Sequence, residues 1–388
     1  MSALQMPGMS VGGGPSATRR QPVTTPVFDT YWQFAAERQR VFHRRVRGAP
    51  PPWTGDPVLS AHRFTNAYRA ADRVSQYLIR QVAYVGDQTT EEVVFRVLLF
   101  KFFNKIATWQ RLHAEFGTPS GRSFSVEQYD AVLTRAFARG HRLYSAAYIM
   151  PAAAPGVRRK HLTHLQLLRT MLDDRLPERL AACSSMRAGY ELLLGYRGIG
   201  PFLAYQLITD LNYTRVLDFS EMEFVMAGPG ARSGLRKCFA DFGDYDEADL
   251  IRFVADRQEH EFATRGILFE DLWGRPLQLI DCQNLFCEVD KYARVVHPEV
   301  LGVGGRSRIK QRFQPVEDPV EVWFPPKWGL NDRLPPRPVT EPHRSTELVD
   351  RQQPLPLFAL LSPGRRDSRR GLLPPNRGRS APRPRGHR

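Results

Sequence analysis

A mostly α-helical domain is predicted between about residues 28 and 298. Three observations predict it: apolar residues recur at helical spacing through that span, helix start and stop residues bracket the runs, and strand signals are sparse. The best strand candidate is the short stretch LYSAAYIMP, residues 143–151.

FDTYWQFAAERQRVFHRRVRG reads as the first helix, with its aromatics on one side and Arg38, Arg40, Arg44, Arg45 and Arg47 elsewhere. GAPPPWTGDP stops it, because prolines cannot continue the hydrogen-bond ladder. HRFTNAYRAADRVSQYLIRQVA gives a second helix. Thr89 and Glu92 have capping-box spacing before one long helix that closes at Gly117. Within it Lys101, Asn104 and Lys105 share a face among Phe100, Phe102, Phe103 and Trp109. A solvated face is the expectation for the two lysines, whereas Asn104 is a poor helix former flanked by aromatics. Ser125 and Gln128 cap the next helix, and HLTHLQLLRTMLDDRL continues the pattern.

The net charge of +15 is concentrated at one end: residues 301–388 hold 18 Lys+Arg against 8 Asp+Glu, leaving only +5 for the rest. The same stretch holds 15 of the 31 prolines. Such a composition buries too little apolar surface to offset its ordering entropy. The expected organisation is a disordered segment over 1–25, a helical domain over 26–300, a linker over 301–330 and a disordered basic Pro/Arg-rich tail over 331–388. The tail is suited to solvated disorder or to holding phosphate backbones by counterion release. Cys183, Cys238, Cys282 and Cys287 are scattered, without zinc-finger spacing, and read as structural thiols with no metal site. No long uncharged apolar run is present, so an intracellular protein with no membrane association is expected.

Ser185 opens a helix, MRAGYELLLGY, and Pro201 suits the first position of another, PFLAYQLITDLNY. Between them lies Arg197-Gly198-Ile199-Gly200. Here the glycines accept positive φ and allow close approach, the isoleucine pins the turn to the core, and the amides opening the second helix favour an anion. A plain helical turn is the alternative. A second glycine-rich stretch, AGPGARSGLRKCF, opens another helix, and Gly228, Gly230 and Arg232 would suit phosphate or pyrophosphate.

LLGYRGIGPFLAYQLITDLNYTRVLDFSEMEF resembles the core of helix-hairpin-helix DNA glycosylases, which flip a base out of the duplex. The resemblance implies that Asp218, 18 residues past Gly200, faces the extruded base. Pro201 and Phe202 occupy the place where lyase-type members carry a Schiff-base lysine, so lyase chemistry is not expected. A wider likeness covers residues 28 to 298. PWTGDPVLSAHRFTNAYRAADRVSQYL, LLFKFFNKIATW, GIGPFLAYQL, VMAGPGARSGLRKCF and LQLIDCQNLFCEVDKYAR together resemble the 5-hydroxymethyluracil DNA kinase helical-domain family. That family is related to the α-glutamyl/putrescinyl-thymine pyrophosphorylases. The resemblance implies a glycosylase-like helical fold working on modified thymine or uracil in DNA, by group transfer or pyrophosphorolysis. The sequence has no Gly-x-x-x-x-Gly-Lys-Ser/Thr. Kinase activity is therefore not expected of this polypeptide, and a separate kinase or other modification enzymes are candidate partners beside the DNA; the residues point to no particular cofactor. A monofunctional glycosylase and a non-catalytic DNA-binding module are the alternatives.

Candidate chemistry falls in two places. In LDFSEMEF, Asp218 and Glu221 are catalytic candidates, while Ser220 and Glu223 form a further capping-box pair. In the last helix, Leu279, Cys282, Phe286 and Val289 form a buried stripe, and Asp281, Asn284, Glu288 and Lys291 follow the same spacing on another face. Solvent exposure with an intrahelical Glu288–Lys291 pair is one reading of that polar face. A base pocket is the other, with Asp281 and Asn284 reading the pyrimidine edge, Tyr292 stacking on it, and Asn104, Glu288 and Lys291 lining it.

Overall fold

Helix α1 (Pro26–Val46) starts at Thr25, whose hydroxyl accepts the Val27 amide, and has proline in its first turn. Its aromatic side, Phe28, Tyr31, Trp32, Phe34 and Phe42, is buried. α2 (Pro57–Ala61) is capped by Asp56, which accepts the amides of Val58 and Leu59 at 2.8 Å. The single helix expected over residues 62–83 is instead broken. Asn66 donates its amide to Asp72 at 2.8 Å and its side chain to Ala71 O at 2.7 Å, tying the first half into a turn. A 3-10 turn over Arg69–Ala71, α3 (Arg73–Leu78) and a π-helical turn over Ile79–Ala83 remain.

The long helix expected to reach Gly117 is two, α4 (Thr90–Phe103) and α5 (Ile106–Phe116), because Asn104 takes a left-handed conformation with φ 48°. Thr89 is the N-cap of α4 but makes no side-chain cap bond. Glu92 turns away from the proposed capping box and accepts from Ser120 Oγ, Gly121 N and Arg122 N at 2.8, 3.0 and 3.2 Å. The cap of α6 (Val126–Ala138) forms as expected, with Ser125 accepting from Gln128.

α7 (Lys160–Asp173), α8 (Leu176–Ala181), α9 (Met186–Leu194), α10 (Pro201–Asn212), α11 (Pro229–Cys238), α12 (Glu247–Thr264) and α13 (Leu279–Val296) complete the helices. β1 (Val23–Thr24) and β2 (Phe239–Asp241) form a two-stranded antiparallel pair. α13 is the central rod, packed by α1, α11 and α12, while α10 lies against α9 and α4. The apolar stripe expected on α13 is fully buried at Leu279, Cys282, Phe286 and Val289. Ser220 and Glu223 head a turn rather than a helix, so their pairing caps nothing; the Glu223 carboxylate accepts the Met186 amide instead, at 3.3 Å.

The computed structural model describes residues 19–146, 150–153, 159–303, 305–315 and 320–336, all within one compact unit. The expected disordered segments lie largely outside the described residues, at 1–18 and 337–388, as does the centre of the LYSAAYIMP candidate. Its described flanks are not strand. The stretch read as linker and tail contributes to the domain: Phe324 and Leu330 are buried, and 3-10 turns form over Pro326–Trp328 and Asn331–Arg333.

Candidate functional site

The turn between α9 and α10 is built by its glycines. Gly198 has φ 88°, and a Cβ there would lie 2.9 Å from the Ala153 Cα, so the position excludes a side chain on two counts. Ile199 is buried and Arg197 is exposed. Gly200, the N-cap of α10, is exposed with open space where a side chain would stand. Pro201 occupies the first turn, and no side chain caps this helix. A helix start of this kind suits an anion, with the helix dipole behind it.

The second glycine-rich stretch comes to the same place. Gly228 is the N-cap of α11, again without a side-chain cap, and a Cβ on it would stand 2.9 Å from the Phe202 ring in the first turn of α10. The neighbouring glycines do something else. A Cβ on Gly230 would meet Cys287 Sγ at 2.2 Å, and one on Gly234 would meet Phe286 O at 2.0 Å, so these two let α11 press against α13. Arg232 is paired with Glu247 at 2.8 Å.

Ten residues beyond Gly200, the last turn of α10 carries a buried charged centre. Asp210, fully buried, accepts from Arg69 at 2.7 and 2.9 Å and pairs with Lys101 at 3.0 Å. Lys101 Nζ also donates to Asn104 Oδ1 at 2.8 Å, and Arg69 Nε to Gln206 at 3.2 Å. Lys101 and Lys105, expected on a solvated face, are both buried. For Lys101 the cause is that α4 is buried on every side from Glu92 to Phe103, and Asp210 compensates its charge there.

Asp281 joins this centre through the backbone: it accepts the Arg69 amide at 2.8 Å and the Gln278 amide at 3.0 Å. Glu221 is buried beside it and pairs with Arg275 at 2.8 Å. Burial pushes Glu221 up to about 7, with Arg275 pulling against it and Asp281 adding to the rise. Burial likewise raises Asp281 to about 6 against the two amides it accepts. For Asp210 burial acts upward too, but Arg69 and Lys101 outweigh it and hold the carboxyl below its usual range. Two acids raised by burial thus share this region with one that its cations hold low.

The centre opens to solvent at Asp218, whose side chain is 86% exposed and lies 3.4 Å from Lys327 Nζ. Lys327 also donates to Leu217 O, and burial lowers its ammonium. Trp328 covers the Arg275 guanidinium at 3.8 Å. Asp218, Glu221 and Asp281 therefore share one region, joined inside by Asn104.

The remaining candidates do not. Glu288, buried, accepts the Thr65 amide at 3.0 Å and pairs with Lys291 at 2.7 Å. Lys291 lies 4.4 Å from the Phe64 ring centre, and Tyr292 packs on Phe34 and Phe64 while donating to Asp56. The intrahelical pair is real, yet the solvated face expected for Asp281 and Glu288 is not. Asn284 lies between the two regions and accepts from Gln283 at 3.3 Å.

Arg69, Asp210, Arg275 and Lys327 are the residues that sequence reasoning missed. Asp210 had a signal: it is the lone charge within the apolar run LAYQLITDLN, and a charge on a helix buried on every side needs a partner. Its partners stand 141 and 109 positions away in sequence, and no local spacing reveals them. Among the described residues no group of three or more His, Cys, Asp or Glu is arranged to hold a metal ion, and no helix is long and apolar enough to cross a membrane.

A protein of Bacillus phage SP10 named "5-hmdU DNA kinase" is 26% identical over 295 residues, covering 71% of this chain and 46% of that protein. The chain thus spans about half the length of the curated relative it matches. No solved structure matches. The profile described as "5-hmdU DNA kinase, helical domain" matches residues 25–302, a span that holds the glycine turn and all of the charged centre except Lys327, and the chain belongs to that family.

Proposed function

We propose that this chain binds DNA carrying 5-hmdU and receives the modified pyrimidine, extruded from the duplex, where Asp218, Lys327, Arg275 and Glu221 meet. The observation that carries this reading is the architecture of α10. One end is an uncapped, glycine-bounded N-terminus suited to a backbone phosphate, and the other holds the buried charged centre. Gln206 stands about 9 Å along the axis from Gly200 at ordinary helical rise.

In this reading the hydroxymethyl group points at Glu221. As its carboxylate, Glu221 accepts the hydroxymethyl proton while the oxygen attacks the terminal phosphorus of a nucleoside triphosphate; the bond from that phosphorus to the bridging oxygen breaks, the nucleoside diphosphate leaves, and Lys327 and Arg275 balance the charge that develops. Asp281 and Arg69 hold the floor of the site in place. The donor is a nucleoside triphosphate held by a separate kinase, in keeping with the lack of a P-loop in these 388 residues. The same cations suit a phosphorylated or pyrophosphorylated product.

The test uses duplexes that differ by one 5-hmdU for thymine. Gly200→Asp supplies α10 with a good N-cap and places a negative charge where the phosphate would sit, so it should weaken DNA binding by about tenfold without lowering the melting temperature. Nucleoside mass spectrometry then reads the chemistry in the presence of a nucleoside triphosphate and a kinase. A mass gain at 5-hmdU that Glu221→Gln slows supports group transfer; release of free base would point to a glycosylase. Equal binding to both duplexes, unchanged in Gly200→Asp, sinks the reading.

A further inference from the structure

A second site lies away from the charged centre. A cavity of about 340 Å³ opens between α1, the 51–54 loop, α2 and residues 313–315. It is closed on one side by a short antiparallel contact, in which Phe313 donates its amide to Ala61 O and Arg63 donates its own to Gln311 O, both at 3.1 Å.

Its walls combine two chemistries. Trp53, Phe64 and Phe313 supply flat apolar faces, with Trp53 and Phe313 in edge contact at 6.4 Å. Arg38 and Arg45 bring two cations to the same space. Arg45 lies over the Trp53 ring at 4.7 Å. Arg38 is fixed by its Nε, which donates to Thr65 O at 2.8 Å, yet its Nη1 is buried and has no hydrogen-bond partner. His62 Nδ1, also at the wall, is likewise buried without one.

Buried donors of this kind are ordinarily satisfied. No nearby carboxylate hydrogen-bonds the free Arg38 nitrogen: Glu37 is held by Arg40 and Thr54, Asp56 by the α2 amides and Tyr292, Glu288 by Thr65 and Lys291, and Asp72, the acid that attracts the guanidinium most, accepts the Asn66 amide. Burial draws the Arg38 guanidinium down to about 10, with Asp72 and Glu288 pulling against the fall and Arg45 adding to it. What would satisfy the site is an anion joined to a planar aromatic group, and the volume suits a ligand of nucleotide size.

We infer that this cavity binds a nucleotide unit, its base against Trp53, Phe64 and Phe313 and its phosphate at Arg38 and Arg45. That unit is either a free nucleoside monophosphate or one nucleotide of a DNA strand. The site shares no residue with the Glu221 region, so it stands or falls independently of the function proposed above.

Calorimetric titration of the full chain tests this with thymidine 5′-monophosphate, thymidine, inorganic phosphate and a short oligothymidylate. The monophosphate or the oligonucleotide should bind at least about tenfold more tightly than thymidine or phosphate alone, because each of the latter offers half the contacts. Binding of both assigns the site to the nucleotide unit as such, and binding of the oligonucleotide alone assigns it to a strand. Arg38→Gln should lower that affinity about tenfold with no loss of thermal stability, since it removes a desolvated charge. Phe313→Ala, at a half-buried position, gives a second variant with the same expected direction. No binding of either ligand at millimolar concentration, or equal binding by wild type, Arg38→Gln and Phe313→Ala, overturns the inference.

Discussion

The guanidinium of Arg69 grips both carboxylate oxygens of Asp210, while its own backbone amide is held by Asp281 at 2.8 Å. One residue in a 3-10 turn therefore joins α10 to the first turn of α13. Its bidentate geometry is what lets a fully buried charge be tolerated.

Asp210→Ala should consequently be among the most damaging single changes in the chain. It leaves Arg69 and Lys101 buried without their anion, a loss of about 3–5 kcal/mol. Urea denaturation followed by circular dichroism measures it. Asp210→Asn, which keeps the shape and some hydrogen bonds, should lose less.

Stability should fall as pH rises through the range where Glu221 ionises in the folded protein. Its folded pKa, about 7, stands above the ordinary 4.5, so the native state holds a proton that the unfolded chain has released. The contribution is complete below pH 4.5 and is lost as pH rises to about 7, a change of about 3 kcal/mol. Glu221→Gln should flatten that part of the profile relative to wild type. Equal slopes for both proteins between those values would contradict the assignment.

The two glycines of the α9–α10 turn should respond differently to alanine. Gly198→Ala combines a positive φ with a contact against the Ala153 backbone, and should cost about 1–3 kcal/mol. Gly200→Ala meets open space at an ordinary φ of −85° and should cost only a few tenths of a kcal/mol. Thermal unfolding of the pair separates them.

Along α11 a rescue experiment distinguishes soft from hard contacts. Gly230→Ala collides mainly with the Cys287 sulfur, so adding Cys287→Ala should recover much of its stability. Gly234→Ala collides with the Phe286 carbonyl, which no side-chain change removes, and the same addition should not help. A double-mutant cycle by chemical denaturation reads both.

The parts of this fold that follow local rules were legible in the sequence. Ser125, Ser185 and Pro201 start helices where their chemistry says they should, and the α13 stripe is buried at each expected position. What could not be read depends on contacts distant in the chain. Glu92 has the spacing of a cap residue but is claimed by the 120–122 loop, and Lys101 looks solvent-facing until Asp210 is placed beside it. Asp281 and Glu288 belong to one periodic polar face, yet a separation of seven residues carries one to Arg69 and the other to Thr65. Periodicity identifies a face without saying what meets it.

The stacking of Trp328 on Arg275 bears on where this protein can be cut. Similarity to the family ends at residue 302, but Lys327 and Trp328 lie beyond it and Phe324 is fully buried. A fragment trimmed to the shared span would expose the Arg275–Glu221 pair to water and return the acid towards ordinary behaviour. The smallest fragment worth crystallising or assaying therefore runs to residue 336, with these late residues serving as the roof of the chamber.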